Sequence, residues 1–188
     1  MDLPRWADEP RHRWTADDVQ KMVAAGILNE DDRVELLEGE LVEMSPQTKE
    51  HWYAKALVLE ALREGYGTTA WVVGQDPIQV ADDNQPEPDI AVLRGSIQSY
   101  RGRLPRPSDA LLLVEIAHTS RKRDLQKASI YAAAGVPVYW ILDVAERQLQ
   151  VHTDPGPNGY RVVTLLREDT TVSPPGLDLR WVIAELLP

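Results

Sequence analysis

The central third of the chain carries two apolar runs separated by a helical pattern. Residues 110–117 (ALLLVEIA) and 136–143 (VPVYWILD) are typical of strands buried on both faces of a sheet. Residues 124–135 (DLQKASIYAAAG) predict a helix that Gly135 ends. A strand, a helix and a second strand in this order predict a right-handed crossover between parallel strands.

The N-terminal third predicts two helices with a hairpin between them. Thr15 begins a capping-box pattern, which indicates a short helix that ends at Gly26. The segment 33–44 (RVELLEGELVEM) alternates and then reverses, which predicts a hairpin. Residues 47–64 predict a long helix that glycines 65 and 67 end. Its predicted buried face consists of Trp52, Ala56, Leu59 and Leu62.

The remaining segments complete an α/β pattern. Strand-like runs occupy 68–73, 77–80 and 89–93. Two further runs, RQLQVHT and GYRVVTLL, predict a C-terminal hairpin, and WVIAELL predicts a last short helix. With one strongly apolar central region, we expect the 188 residues to form one domain around one core.

Composition excludes several classes of protein and site. The chain has no cysteine, so disulfides, thiol nucleophiles and thiolate zinc sites are excluded. No apolar stretch is long enough to span a bilayer, and the first residues lack the features of a secretory signal, so we expect a cytoplasmic protein without membrane contact. The formal net charge of −10 argues against a protein that coats nucleic acid through its overall field.

One carboxylate interrupts the apolar run 110–117. Glu115 would cost several kcal/mol in a buried strand unless it is paired or bound to a cation. Asp89 begins the preceding strand after Pro88, and if the two strands are neighbours both carboxylates can bind one Mg²⁺ or Mn²⁺ ion. The residues alone leave an alternative open: Glu115 pairs with a buried Arg or Lys, and Asp89 caps a turn.

Two sequence blocks carry a family resemblance. PEPDIAVL, followed by LLLVEIAHTSRKRDLQKASIYAAAGVPVYWILD, resembles the Uma2 family, a branch of the restriction-endonuclease-like PD-(D/E)XK nuclease superfamily. The resemblance extends from the RVELLEGELVEMSP segment to the GVPVYWILD strand. It implies a restriction-endonuclease-like core at about 33–153 within a single domain spanning 1–188. In this core a central mixed β-sheet is flanked by α-helices, and an N-terminal helix and hairpin are added.

The resemblance also implies a set of catalytic residues. Asp89 and Glu115 would bind the metal together with the carbonyl of Ile116. The superfamily places a lysine two residues after the acid, where this chain has Ala117; by resemblance to variants with a migrated lysine, Lys127 on the following helix takes its place. Glu35 matches the family's N-terminal glutamate and would complete the site, with Glu38 and Glu40 as close alternatives.

Further residues receive auxiliary assignments, each with a simpler alternative. His51 would carry a proton or contact phosphate, or else lie on a helix surface. Asp124 and Ser120 would support the site, or else cap the helix, as would Thr119. Two basic clusters would contact nucleic acid, or else form solvated surface. Their members are Arg94, Arg101 and Arg103 in one loop and Arg121, Lys122 and Arg123 in the next.

The function that the resemblance implies is Mg²⁺-dependent (or Mn²⁺-dependent) hydrolysis of DNA. Two alternatives stay open: a catalytically inactive interaction protein with the nuclease fold, and a nuclease acting on RNA or on nucleic-acid ends. Apolar, tryptophan-bearing surfaces around Trp140 and Trp181 favour a homodimer or a higher homo-oligomer.

Overall fold

Three α-helices and ten strands form the described part of the chain, which comprises residues 11–29, 31–118 and 121–188 of a computed structural model. The N-terminal elements are α1 (Ala16–Ala24), β1 (Val34–Leu37), β2 (Glu40–Glu43), α2 (Lys49–Tyr66) and β3 (Ala70–Gly74). They are followed by β4 (Ile90–Arg94), β5 (Ala110–Ala117), α3 (Arg121–Ala133) and β6 (Val138–Asp143). The C-terminal strands are β7 (Gln148–Gly156), β8 (Gly159–Arg167), β9 (Thr171–Val172) and β10 (Trp181–Val182).

A six-stranded mixed sheet lies at the centre of the fold. Its strand order is β3-β4-β5-β6-β7-β8, and the pairing is antiparallel except between β5 and β6, which are parallel. The helix α3 connects these two strands, so the predicted strand–helix–strand crossover is confirmed. The predicted α/β fold with a central mixed sheet is likewise confirmed.

The two faces of the sheet pack against different helices. Along β5 successive side chains alternate between the faces. Leu112, Val114 and Ile116 lie in the core that includes the buried residues of α2, whereas Leu113 and Ala117 lie in the core that includes Tyr131 of α3. Glu115 has the same parity as Leu113 and Ala117, and its side chain therefore projects toward α3.

The predicted N-terminal elements are present. Thr15 caps α1 with a reciprocal capping box. The strands β1 and β2 form the hairpin, whose turn has positive φ at Glu38 (49°) and Gly39 (75°). The tight approach of the chain requires glycine here, because a Cβ on Gly39 would lie 2.7 Å from Cβ of Arg13. Backbone and side-chain hydrogen bonds tie this turn to residues 83–85, in the segment that leads to β4.

The predicted buried face of α2 is partly wrong: Leu62 is buried and Leu59 packs against the core as predicted, but Trp52 is not buried. The buried residues of the helix are Ala54, Val58, Leu62 and Tyr66, whereas Trp52 is 59% exposed. The helix also continues through Gly65 to Tyr66. A Cβ on Gly65 would lie 3.1 Å from Leu177, so the absence of a side chain lets the C-terminal segment pack closely against the helix.

Two other predicted elements differ in the structure. Residues 77–80 form no strand; the N–H groups of Ile78 and Val80 instead donate to carbonyls at Pro86 and Asn84 within the same loop. The C-terminal run 181–187 is not an α-helix. It begins with β10, which pairs with β9, and continues as a 3₁₀ turn over Ile183–Leu186, where the first N–H groups donate to distant carbonyls.

The surface expected around Trp140 is also absent, because Trp140 is 1% exposed and packs in the core on the α2 side of the sheet. Trp181 is partly buried against the same core. The homodimer therefore stays a prediction, and the surface around Trp140 no longer supports it. No helix in the described ranges has the length and apolar character needed to cross a membrane.

Candidate functional site

Asp89 and Glu115 lie side by side where β4 begins and β5 nears its end. The antiparallel register opposes Ile90 to Val114, which places Asp89 next to Glu115. The backbone N–H of Ile116 donates to Oδ2 of Asp89 at 2.8 Å, and the N–H of Asp89 donates to Oε2 of Glu115 at 3.4 Å. The Asp89 carboxylate thus accepts the hydrogen bond from β5 that a backbone carbonyl would accept if the β4–β5 pairing continued.

Lys127 lies between Glu115 and Glu35. From α3, its Nζ donates to Oε1 of Glu115 at 3.0 Å and to Oε1 of Glu35 at 2.5 Å. All three side chains are at most 5% exposed. The N–H of Glu87 also donates to Oε1 of Glu35, at 2.8 Å. The structure therefore brings the predicted Glu35, Glu115 and Lys127 together with Asp89.

Glu35 is distinguished from its two sequence alternatives by its position. It lies in β1 and is 2% exposed. Glu38 lies in the exposed hairpin turn, and Glu40 is exposed at the start of β2. Of the three glutamates, Glu35 is the one that reaches Lys127.

His51 approaches the site from the first turn of α2. Its Nε2 lies 3.0 Å from Oδ2 of Asp89, and its backbone N–H donates to the side chain of the N-cap residue Thr48. The Nδ1 atom of His51 is buried and has no hydrogen-bond partner among the described residues. The Thr48 hydroxyl also lies 3.4 Å from Nδ1 of His118. His51 is thus a partner of Asp89 rather than a free surface histidine.

Burial and ion pairing act in opposite directions on the carboxylates. Burial raises the pKa of Glu115 well above its usual range, and the nearby Lys127 offsets this only in part. Burial also opposes ionisation of Asp89, but hydrogen bonds from His51 and Ile116 outweigh it and hold the pKa of Asp89 below its usual value. Burial opposes the charge on Lys127, yet Glu115 and Glu35 raise its pKa.

The donor chemistry fits a hard divalent cation. Three carboxylates are buried at the site, those of Glu35, Asp89 and Glu115, together with one buried ammonium, that of Lys127. A cation would compensate this excess of negative charge, which adds to the effect of burial in raising the pKa of Glu115. In the described residues no three His, Asp or Glu side chains form a ready metal-binding group, and Lys127 and His51 contact the carboxylates in this structure.

The backbone adds a possible oxygen ligand on the same side. The N–H and C=O groups of one strand residue leave the same edge of the strand. Because the N–H of Ile116 donates to Asp89, the carbonyl of Ile116 also faces Asp89, beyond the first residue of β4. Asp89, Glu115 and the Ile116 carbonyl are the groups that could hold the ion.

A family model described as "Putative restriction endonuclease", that of Uma2, matches residues 16–185. The chain belongs to the Uma2 family. A crystal structure of a "putative nuclease belonging to DUF820" from Anabaena variabilis is similar to this Uma2 chain, with a TM-score of 0.72 and 17% identity over 92% of this chain and 96% of that one. At that identity the similarity shows the shared fold alone. No curated protein matches the chain.

The site of this Uma2 chain opens into a cleft of about 60 Å³. Cleft residues that the sequence did not single out include Arg33, Gln47, Thr48, Gln75, Glu87 and His118. Residues of these types are common on protein surfaces, and no spacing in the sequence connects them to Asp89 or Glu115. Gln75 shows one structural sign, a left-handed backbone with φ of 52°.

Of the residues with auxiliary or nucleic-acid assignments around α3, some line the cleft and others do not. Asp124, in the first turn of α3, is 3% exposed and lines the cleft, as does Arg123. Lys122 is exposed. Ser120 and Thr119 lie outside the described residues, as does the side chain of Arg121.

The other basic cluster lies away from the cleft. Arg94 is at the opposite end of β4 from Asp89, in a groove with Tyr66. Arg101 is exposed, and Arg103 pairs with Asp109 at 2.7 Å. Contact of this cluster with nucleic acid stays a prediction, and any such contact would be distant from Asp89.

Proposed function

We propose that this Uma2 chain is a Mg²⁺- or Mn²⁺-dependent endonuclease that hydrolyses phosphodiester bonds in DNA. The observation that carries the proposal is the position of Lys127, whose amine lies 3.0 Å from Glu115 although the chain lacks the lysine two residues after that acid. A lysine on the helix surface would have pointed into solvent. The position of Lys127 beside Glu115, where the family resemblance would put a migrated catalytic lysine, supports a catalytic site.

In such a reaction some residues of the site would bind the metal ion and others would position those ligands. Asp89, Glu115 and the Ile116 carbonyl would hold the metal ion, which, when bound, polarises the phosphate and lowers the pKa of a water molecule. Lys127 fixes the orientation of the Glu115 carboxylate, and Glu35 fixes Lys127. His51 contacts Oδ2 of Asp89 and so helps to fix the orientation of that carboxylate. These contacts preorganise the carboxylates before substrate arrives.

The local charge around the cleft suits a nucleic acid despite the net charge of −10. Buried carboxylates line the cleft together with the less buried Arg33, Arg123 and His118. Arginine is well matched to phosphate because its guanidinium donates two parallel hydrogen bonds.

One observation favours the non-catalytic alternative. Lys127 already contacts both Glu35 and Glu115, so these three residues form a buried ion-pair network that would also fit a purely structural role. In that case the fold would serve as an interaction scaffold.

Cleavage assays on plasmid DNA, single-stranded DNA and RNA test the proposal. With Mg²⁺ or Mn²⁺, wild-type protein should cleave DNA, and Asp89→Asn or Glu115→Gln should lower the rate at least about a hundredfold. Asp17→Asn, which removes an exposed carboxylate on α1, is the matched control and should leave the rate unchanged. Cleavage of RNA alone would reassign the substrate. Equal rates in wild type and Asp89→Asn would favour the non-catalytic alternative.

A further inference from the structure

Lys55 occupies an unusual environment beside the proposed site. It lies one helical turn after His51 on α2, and it is half-buried. Its Nζ donates to Oε1 of Gln75 at 2.9 Å and to Oε1 of Gln47 at 3.4 Å. Burial lowers the pKa of Lys55, and the nearby Asp89 carboxylate offsets this only in part. No carboxylate in the described residues forms an ion pair with Lys55, so its hydrogen-bond partners there are the two neutral carboxamides.

The contact with Lys55 fixes which way the two carboxamides face. A lysine ammonium can only donate hydrogen bonds, so the oxygen of each glutamine must face Nζ. The NH₂ group of each glutamine then points away from Lys55. Neither NH₂ group has a hydrogen-bond partner among the described residues, and both Gln47 and Gln75 line the cleft.

The backbone holds Gln75 next to Asp89. Its N–H donates to the carbonyl of Asp89 at 3.2 Å, and its φ of 52° is rare for a residue with a side chain. Such a conformation persists where the surroundings enforce it, and it is found at ligand sites as well as in turns. Gln75 is therefore a fixed part of the cleft wall on the Asp89 side.

Lys127 cannot supply the positive charge that a phosphate requires on this side. It is 4% exposed and already contacts Glu35 and Glu115. Lys55 lies near Asp89 and donates hydrogen bonds to two cleft-lining carboxamides, whose NH₂ groups have no partner among the described residues. A cation and preorganised N–H donors together match the oxygens of a phosphate.

We propose that Gln47, Lys55 and Gln75, here called the Lys55 subsite, bind the oxygens of a backbone phosphate of the nucleic acid next to Asp89. Gln75 donates directly through its NH₂ group, and Lys55 orients both carboxamides and adds positive charge. The proposal rests on the proposed nucleic-acid substrate, but it concerns binding and needs no cleavage.

The decisive variant is Gln75→Glu, because it separates binding from structure. A carboxylate keeps the acceptor that Lys55 contacts and strengthens that contact, so a purely structural role would be preserved. It also removes the N–H donors and places a negative charge against the phosphate. Gln98→Glu is the matched control: it adds the same charge at an exposed position and keeps the acceptor for the Ser96 hydroxyl.

The experiment measures fluorescence anisotropy of a short, labelled single-stranded DNA oligonucleotide. Ca²⁺ replaces Mg²⁺, since it accepts the same oxygen ligands with looser geometry. We expect Gln75→Glu to weaken binding by about tenfold or more, with Gln98→Glu equal to wild type. In parallel, the side-chain NH₂ resonances of Gln75 in NMR spectra should shift when the oligonucleotide is added.

Two results would overturn the Lys55 subsite: equal affinities of Gln75→Glu and Gln98→Glu, or no binding by wild-type protein. Binding that depends on Gln75 in a protein that fails to cleave DNA would leave the subsite in place and remove the proposed nuclease activity. The two proposals therefore fail separately.

Discussion

Lys127 joins three separate parts of the chain through one ammonium group. Its partners come from β1, from β5 and, through a 3.4 Å hydrogen bond, from the carbonyl of Glu87 in the loop before β4. Because the side chains of Lys127, Glu35 and Glu115 are buried, the charge of Lys127 is needed to keep Glu35 and Glu115 in place. The residue is thus structural in the free protein whatever its role in a reaction.

Replacing Lys127 by methionine should therefore destabilise the protein. The change leaves two buried carboxylates without their cation, and we expect a loss of about 3–5 kcal/mol in the free energy of unfolding. Urea denaturation in the presence of a chelator measures it. Lys49→Met, at an exposed position of α2, is the control and should change stability little. A loss for Lys127→Met no larger than that of the control would contradict the account.

The site was predictable from the sequence where a polar residue interrupts an apolar strand. Glu115 stands out for that reason, and Asp89 follows from the strand before it. Choosing Lys127 required the family resemblance, because a lysine in a helix is ordinary. Gln75 and Lys55 could not be found this way, since their significance depends on contacts between α2 and the loop after β3.

At the scale of elements, helix α2 shows where periodicity misleads. Apolar residues occupy both sides of this helix, so a spacing of three and four residues fits two different faces. Leu62 belongs to both faces; the sheet and the C-terminal segment select the one with Ala54 and Val58, and Trp52 is left exposed. The choice is made by tertiary packing, which the local pattern does not contain.

Two alanine substitutions distinguish the faces. Val58→Ala removes about two buried carbons and should cost about 2 kcal/mol of unfolding free energy, including the cavity left behind. Trp52→Ala should cost far less, although it removes a larger side chain, because Trp52 is mostly exposed. Thermal or urea denaturation gives both values. A larger loss for Trp52→Ala would mean that the helix packs with its other face.

The crossover from β5 through α3 to β6 was the most predictable element. Both strands are apolar on either face because both are buried, and Gly135 ends the helix with a φ of 78°. The C-terminal run 181–187 was less predictable, because its backbone donors bond to carbonyls at Thr170 and Glu168 instead of forming an α-helix. Local patterns hold where burial is symmetric and fail where distant backbone groups compete.

The charge of the whole molecule is unevenly distributed, and the cleft combines buried carboxylates with arginines. The chain carries a net charge of −10, and buried carboxylates gather at one cleft that Arg33 and Arg123 also line. An acidic protein that acts on nucleic acid needs positive charge at its site. A divalent cation between Asp89 and Glu115 would supply it, and the family match over residues 16–185 spans both acids.

Calorimetric titration of Mg²⁺ and Mn²⁺ into the protein tests whether a divalent cation binds at Asp89 and Glu115. Wild type should bind the ion, with affinity that falls as pH is lowered, because the raised pKa of Glu115 lets a proton compete with the metal. Asp89→Asn/Glu115→Gln should abolish binding, whereas Asp17→Asn/Glu60→Gln, which removes two exposed carboxylates, should not. No binding by wild type, or equal binding by Asp89→Asn/Glu115→Gln, would contradict the account.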